Sequence, residues 1–159
     1  MKKIVCLFIG VFTCVQLFAQ GVGFKSISLK EALEQAKTQG KMVFVDCYTT
    51  WCGPCKMMTE QVFPQKEAGD FFNTHFVNVK FDMEKGEGKE LSTRFKIRAY
   101  PTFLLLEPDG TERYRIVGGG ELEEFIGRLV EDYKRKILYP CWIKSTRLVK
   151  CRKEECLIS

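Results

Sequence analysis

An apolar run from Met42 to Cys47, interrupted only by Asp46, leads through Tyr48-Thr49-Thr50-Trp51 into Cys52-Gly53-Pro54-Cys55-Lys56. No other stretch restricts the fold as tightly. The run is short, apolar and rich in β-formers, which predicts a buried strand. The two cysteines fall just after it, at the predicted start of a helix. Two intervening residues set their sulfurs one helical turn apart, close enough to bond without moving the backbone far. At a helix start, unpaired N–H groups and the helix dipole favour negative charge, so Cys52 is the candidate nucleophilic thiolate. Cys55, one turn further in, is expected to be the more shielded, resolving thiol. Pro54 falls in the first turn, where its missing N–H costs little. The same spacing occurs in zinc sites. A structural zinc ion needs four ligands, and the only other cysteine pair at short spacing is Cys151 and Cys156, with His75 the only histidine. No metal is therefore expected, and the pair reads as a dithiol that cycles with a disulfide.

Asp46 is the one charged residue in the strand. Burial beneath the dithiol would raise its pKa and suit it to general-base work on Cys55. A merely structural aspartate at a strand end is the alternative, although an idle buried carboxylate is costly. Strand alternation sends Cys47 to the opposite face, where a buried thiol is inert. His75 reads as an ordinary helix-end residue.

The chain has 159 residues, enough for one core. Its ends differ in character from its middle. Lys2 and Lys3 precede a mostly apolar stretch from Ile4 to Phe18, and Ala19 supplies a small residue before Gln20. This is the layout of a signal peptide over residues 1–19; the stretch is short for a membrane span. A retained anchor is the alternative. A lipid on Cys14 fits less well, with Thr13 before it. Losing the leader lowers the net charge from +5 to +3 and removes Cys6 and Cys14, leaving six cysteines. The positive charge gathers beyond residue 133, where eight basic residues face two acidic ones, while residues 20–133 carry a small negative excess. Without a binding motif, the tail reads as solvated and implies no nucleic acid. Its three cysteines, Cys141, Cys151 and Cys156, cannot all pair with each other.

Between these ends, strand and helix signals alternate. A short edge strand is expected at Phe24 to Ile27. Ser28 and Glu31 form a capping box for a helix carrying Leu29, Ala32, Leu33 and Ala36, which ends at Gly40. The helix after Cys52 carries Met57, Met58 and Val62 and is limited by Pro64. A second helical piece follows over Lys66 to Thr74, then a strand from Phe76 to Asp82 and a helix from Lys89 to Phe95. Pro108-Asp109-Gly110 predicts a turn between strands Phe103 to Leu106 and Glu112 to Val117. Leu122, Phe125, Ile126, Leu129, Val130 and Tyr133 mark a closing amphipathic helix. This order predicts an α/β sandwich with a mixed central sheet.

The sequence Trp51-Cys52-Gly53-Pro54-Cys55-Lys56, following a strand that contains Asp46, resembles the active site of thioredoxin. The helix leading into Gly40 resembles the exported thioredoxin-like branch, which includes the C-terminal domain of the membrane thiol-disulfide interchange protein. Pro64 also suits that branch, since thioredoxin places its kinking proline earlier. The resemblance covers about residues 24–136. It implies a thioredoxin fold, with a mixed central sheet flanked by helices on both faces and a domain over 20–136 followed by a basic tail over 137–159. It also implies that Cys52 and Cys55 form a redox-active disulfide with Asp46 as proton handler. Tyr100-Pro101-Thr102 is similar to the family's cis-proline loop, which offers the backbone of Tyr100 to an extended substrate. Trp51, Gly53, Pro54, Tyr100, Pro101 and Gly118 are the expected substrate contacts, with Trp51 also shielding the dithiol. The lysine that thioredoxin sets beside its buried aspartate aligns with Asn78, with Lys80 one pleat repeat further on. Tyr100 before the proline is similar to protein disulfide isomerase, whereas Gly53-Pro54 is similar to thioredoxin.

No Gly-rich phosphate loop appears, so no cofactor is expected, and electrons would come from another dithiol protein. The substrates implied are protein or peptide thiols and disulfides, in the periplasm or outside the cell, with no stable membrane span once the leader is removed. The implied activity is that of a protein disulfide oxidoreductase, and a reductase in preference to an oxidase or isomerase. A chaperone-like binding module with little turnover is the alternative.

Overall fold

The computed structural model describes residues 21–133, so the expected leader and the basic tail lie outside the described residues. The first helix, α1 (Leu29–Gln39), begins where the sequence signals it. Ser28 accepts from the Glu31 N–H, Glu31 accepts from the Ser28 N–H, and Gly40 closes the helix at φ 64°. Strand β1 (Met42–Tyr48) follows and is buried except at its end. Helix α2 (Gly53–Met57) opens into a π-helical turn (Met58–Val62), then α3 (Lys66–His75) leads to β2 (Phe76–Asp82). Helix α4 (Glu87–Arg94), strands β3 (Thr102–Leu106) and β4 (Glu112–Val117), and helix α5 (Leu122–Tyr133) complete the order.

The four strands lie in the order β2-β1-β3-β4. β1 pairs parallel with β2 and antiparallel with β3, and β3 pairs antiparallel with β4. This is the expected mixed sheet. Its two faces are filled by alternating residues of the same strands. Val43, Val45 and Cys47 of β1 pack with α1 and α4, whereas Met42 and Phe44 pack with the π-turn, α3 and α5. Phe44 centres the second layer: its ring lies 4.6 Å from Phe72 and 5.7 Å from Phe103, which in turn meets Phe125 at 4.7 Å. Removing such a ring costs about 3–5 kcal/mol. Asp46 and Lys80 therefore point towards the α2 side, at the open end of this aromatic layer.

Three local expectations need correction. The edge strand at Phe24 to Ile27 is reduced to one bridge, Lys25 to Val79. The reason is room: the chain bends at Phe24, whose N–H bonds the Val22 carbonyl at 3.1 Å, and the Ser28 cap starts a helix three residues past the bridge. The helix after Cys52 is not uniform. Phe63 N–H bonds Met58 O at 2.9 Å, five residues back, and the widened turn buries Met58, Val62 and Phe63 together. Finally, α4 begins at Glu87, two residues before the expected start. Gly88 belongs to its first turn because only a hydrogen fits: a Cβ there would sit 2.0 Å from the Asp82 carbonyl oxygen.

Candidate active site

β1 delivers the chain to the α2 end of the sheet. Cys52 becomes the N-cap residue of α2 in extended geometry, Pro54 occupies the first turn, and the Cys55 N–H points at the Cys52 sulfur at 3.1 Å. Thr49 and Cys52 close the connecting turn through a backbone bond of 3.3 Å. The two cysteines are joined as a disulfide, with Cα atoms 5.3 Å apart. They are equally buried, at 3% and 4% exposure, so the expected greater shielding of Cys55 is not observed. Position separates them instead: Cys52 caps the helix, whereas Cys55 lines a cavity of about 230 Å³ beside Thr49, Lys56, Glu60 and Lys80. In the reduced state, a sulfur at Cys52 would face the helix N–H groups, which favours its thiolate.

Asp46 is buried on the sheet face that carries this helix, and one of its carboxylate oxygens has no hydrogen-bond partner. Burial raises its pKa to about 7, against the opposing pull of the Lys80 charge. Lys80 is also its direct neighbour in the parallel register. The lysine beside the aspartate is thus Lys80, and the alignment to Asn78 is corrected by one pleat repeat. Asn78 instead lies beside Phe44. Its side-chain NH₂ donates to Asn73 at 3.0 Å, and Asn73 holds the backbone of Gly21 and Gly23. Asn78 therefore braces the N-terminal segment.

The Tyr100–Pro101 bond is cis. Thr102 donates from its hydroxyl to the Ala99 carbonyl at 2.8 Å, and the Gly118 N–H bonds the Pro101 carbonyl at 2.8 Å. Gly118 has φ 87°, a region that L side chains avoid. Gly53 and Pro54 are exposed between the cysteines. Trp51 is 65% exposed, meets the Tyr100 ring edge-on at 5.8 Å, and donates from its indole N–H to Glu84 at 3.0 Å. Trp51 and Tyr100 thus share one ring contact, with the dithiol following directly on Trp51 in the chain.

Cys47 is buried on the other face, where burial pushes its thiol pKa far upward. His75 ends α3. No described helix is long and apolar enough to cross a membrane. Sequence reading missed three features of this site: Thr49, Glu84 and the placement of Lys80. The placement of Lys80 depends on the register of β2 against β1, which neither strand fixes alone. Glu84 lies 33 residues from Trp51, and nothing local marks it.

Residues 29–131 match the family model of the thioredoxin-like domain. Over 103 residues the chain is 33% identical to a thiol:disulfide interchange protein DsbD of Pseudomonas fluorescens; the match takes in 63% of this chain and 18% of that protein. A solved structure described as a putative disulphide-isomerase from Bacteroides thetaiotaomicron is 42% identical. It superposes with a TM-score of 0.67 over 74% of this chain and 98% of its own. The oxidised C-terminal domain of DsbD from Neisseria meningitidis shares the fold at 21% identity, with a TM-score of 0.55 over 70% of this chain and 98% of that one. The matched span includes the Cys52–Cys55 pair and the strands that position it, and by that match the chain belongs to the thioredoxin-like family.

Proposed function

We propose that the chain is an exported oxidoreductase that works mainly as a reductase of protein or peptide disulfides. The observation that carries this reading is the Cys52–Cys55 pair at a helix start, set on the same sheet face as the buried Asp46. The Cys52 thiolate attacks a substrate sulfur and forms a mixed disulfide. Asp46 takes the proton of Cys55, whose thiolate attacks Cys52 and releases the substrate thiolate, leaving the Cys52–Cys55 disulfide. The substrate lies extended along Tyr100, Pro101 and Gly118, where backbone pairing gives affinity with little side-chain reading. Trp51, Gly53 and Pro54 form the opposite rim. A second dithiol protein reduces the pair again, and no nucleotide cofactor or metal takes part. Export into the periplasm or the medium is the reading supported by the signal-peptide layout of residues 1–19, with a thioredoxin-like domain assigned by the same reading to 20–136 and a basic tail to 137–159. The relative named DsbD is an interchange protein of the same chemistry, although this chain spans less than a fifth of it.

Insulin reduction tests the reading. Cys52→Ser is expected to abolish turnover, and Cys55→Ser to accumulate mixed disulfides through Cys52. Trapping through Cys55 instead would reverse the roles. Exposed Trp51 and Val117 favour a second reading, a protein-binding module, which would bind unfolded insulin chains with little turnover. Direction is read from the reduction potential of the dithiol against a glutathione couple: ~30 mV corresponds to ~1.4 kcal/mol for two electrons.

A further inference from the structure

Three successive glycines, Gly118 to Gly120, follow β4 on the way to α5. A run of glycine has more backbone freedom to lose than any other sequence. Nothing lies within 4 Å of the position a Cβ would occupy at Gly118, so an extended chain can approach its Cα closely. At Gly119 a Cβ would lie 3.0 Å from Met58 Cγ and Sδ and 3.4 Å from Met57 Cε. The loop therefore rests against the helical stretch that carries Cys55. The Gly118 N–H is held by the Pro101 carbonyl at 2.8 Å. One residue on, the Gly119 carbonyl accepts from Arg128 Nη2 at 3.0 Å. Arg128 belongs to α5 and lays its guanidinium over the buried Phe125 ring, 5.7 Å from its centre. Its Nε is buried and has no hydrogen-bond partner among the described residues. An unpaired buried donor is costly, and methionine or leucine would cover Phe125 without it. Packing alone therefore does not account for arginine here. What the guanidinium does that an apolar chain cannot is hold the Gly119 carbonyl.

We propose that Arg128 is a positioning residue for the substrate: its bond to Gly119 holds the Gly118–Gly119 peptide in the conformation onto which an extended polypeptide pairs. The proposal rests on the substrate path along Tyr100, Pro101 and Gly118 given above. With the bond in place the glycine loop is ordered before the substrate arrives, and less backbone freedom is lost on binding. The bond acts on the loop and not on the dithiol, so affinity for a polypeptide should depend on it and the chemical step should not.

The test uses the full-length chain with two disulfide probes. Insulin, reduced with dithiothreitol as electron source, offers an extended backbone; bis(2-hydroxyethyl) disulfide offers none. For the second probe the reduced chain is mixed with the disulfide and acid-quenched, and the mass of the Cys52–Cys55 peptide is followed in time. The pair gives up two electrons and two protons, and the probe leaves as two molecules of mercaptoethanol. Arg128→Met is expected to raise KM for insulin about fivefold, the contribution of one hydrogen bond. Its kcat should be nearly unchanged, and its rate with the small disulfide unchanged. The ratio to wild type should hold at about 0.5 M salt, where surface charge is screened. Arg128→Lys keeps a donor and should return KM to within about twofold of wild type. A wild-type KM in Arg128→Met overturns the proposal. So does an equal slowing with both probes, which would mean a disturbed dithiol. A defect that vanishes in salt overturns it as well, since the cause would then be charge attraction to insulin, and so does failure of Arg128→Lys to recover. Should Arg128→Met not fold, Arg128→Leu carries the same expectations. If the wild-type chain turns over no insulin, the reductase reading falls and this one with it; if it does and Arg128→Met matches it, only the Arg128 proposal falls.

Discussion

Asp46 and Lys80 are side-by-side partners in the parallel register of β1 and β2. The aspartate is buried, and the lysine is exposed at the cavity wall with its ammonium 5.8 Å from the centre of the Phe24 ring. That distance lies within the range of a cation–π contact. Burial and the lysine act on Asp46 in opposite senses: burial disfavours the carboxylate, and the positive charge favours it. The balance near pH 7 leaves the group able both to take and to release a proton at neutral pH.

Removing the positive charge should tip that balance. Lys80→Met leaves burial as the dominant influence, so the Asp46 pKa rises further above about 7. At pH 7 a smaller fraction is then carboxylate, and resolution of a Cys52 mixed disulfide should slow severalfold, up to about tenfold. Raising the pH should recover the rate. The check is the pH profile of resolution, and a midpoint that stays put in Lys80→Met would remove the lysine from the mechanism. Phe24→Leu should move the midpoint less, because it frees the ammonium without deleting it.

The same burial links stability to pH. The Asp46 pKa stands at about 7 in the folded chain against an ordinary 3.8, so between these values the folded state holds a proton that the unfolded state has lost. The stability from protonated Asp46 is complete below the ordinary value and is lost as the pH rises through about 7. Asp46→Asn removes that penalty. It should leave stability nearly unchanged at pH 4 and raise it by about 2–4 kcal/mol at pH 8. Urea midpoints of the oxidised protein at the two pH values measure this, and an equal gain at both would show that ionisation is not the cause.

Much of this site is legible in the chain because its determinants are local. Ser28 with Glu31, Gly40, the β1 run and the Cys52–Cys55 spacing each act within a few residues, and each appears where the sequence places it. Period-two alternation likewise puts Asp46 and Cys47 on opposite faces, as the structure has them. What fails to show is non-local or aperiodic. The π-turn at Met58–Val62 adds one residue to a helical turn, and a search at 3.6 residues per turn cannot register it. Gly88 looks like a loop glycine until β2 brings the Asp82 carbonyl against it. Asn78 aligns with the lysine position only while β2 is read alone, because the register of β2 against β1 is a property of the pair, not of either strand.

Gly88 and Gly53 offer a matched test of that last kind of constraint. Alanine at Gly88 would place a methyl 2.0 Å from a backbone oxygen of Asp82, whereas at Gly53 nothing lies within 4 Å. Gly88→Ala should therefore force β2 and α4 apart and cost about 2 kcal/mol or more. Gly53→Ala, in the first turn of α2, should be neutral or gain about 0.4–1 kcal/mol through the unfolded state. Thermal unfolding of the two variants side by side reads the difference. Similar losses in both would mean that the close approach at Gly88 relaxes at little cost.

Glu84 should matter to substrate affinity and not to the chemical step. It reaches Trp51 from the turn after β2 and accepts the indole N–H at 3.0 Å, while the Tyr100 ring meets the indole edge-on at 5.8 Å. A side chain as exposed as Trp51 loses rotamer freedom when a protein substrate settles on it, and an anchor already in place reduces that loss. One hydrogen bond contributes about 1 kcal/mol, which corresponds to about fivefold in affinity. Glu84→Ala is expected to raise KM for insulin by up to that factor with kcat nearly unchanged. Glu84→Gln should behave like wild type, because its amide oxygen still accepts the bond. Equal losses in Glu84→Ala and Glu84→Gln would point to the carboxylate charge as the active feature. A fall in kcat in either variant would place Glu84 in the chemical step and would contradict the anchoring role.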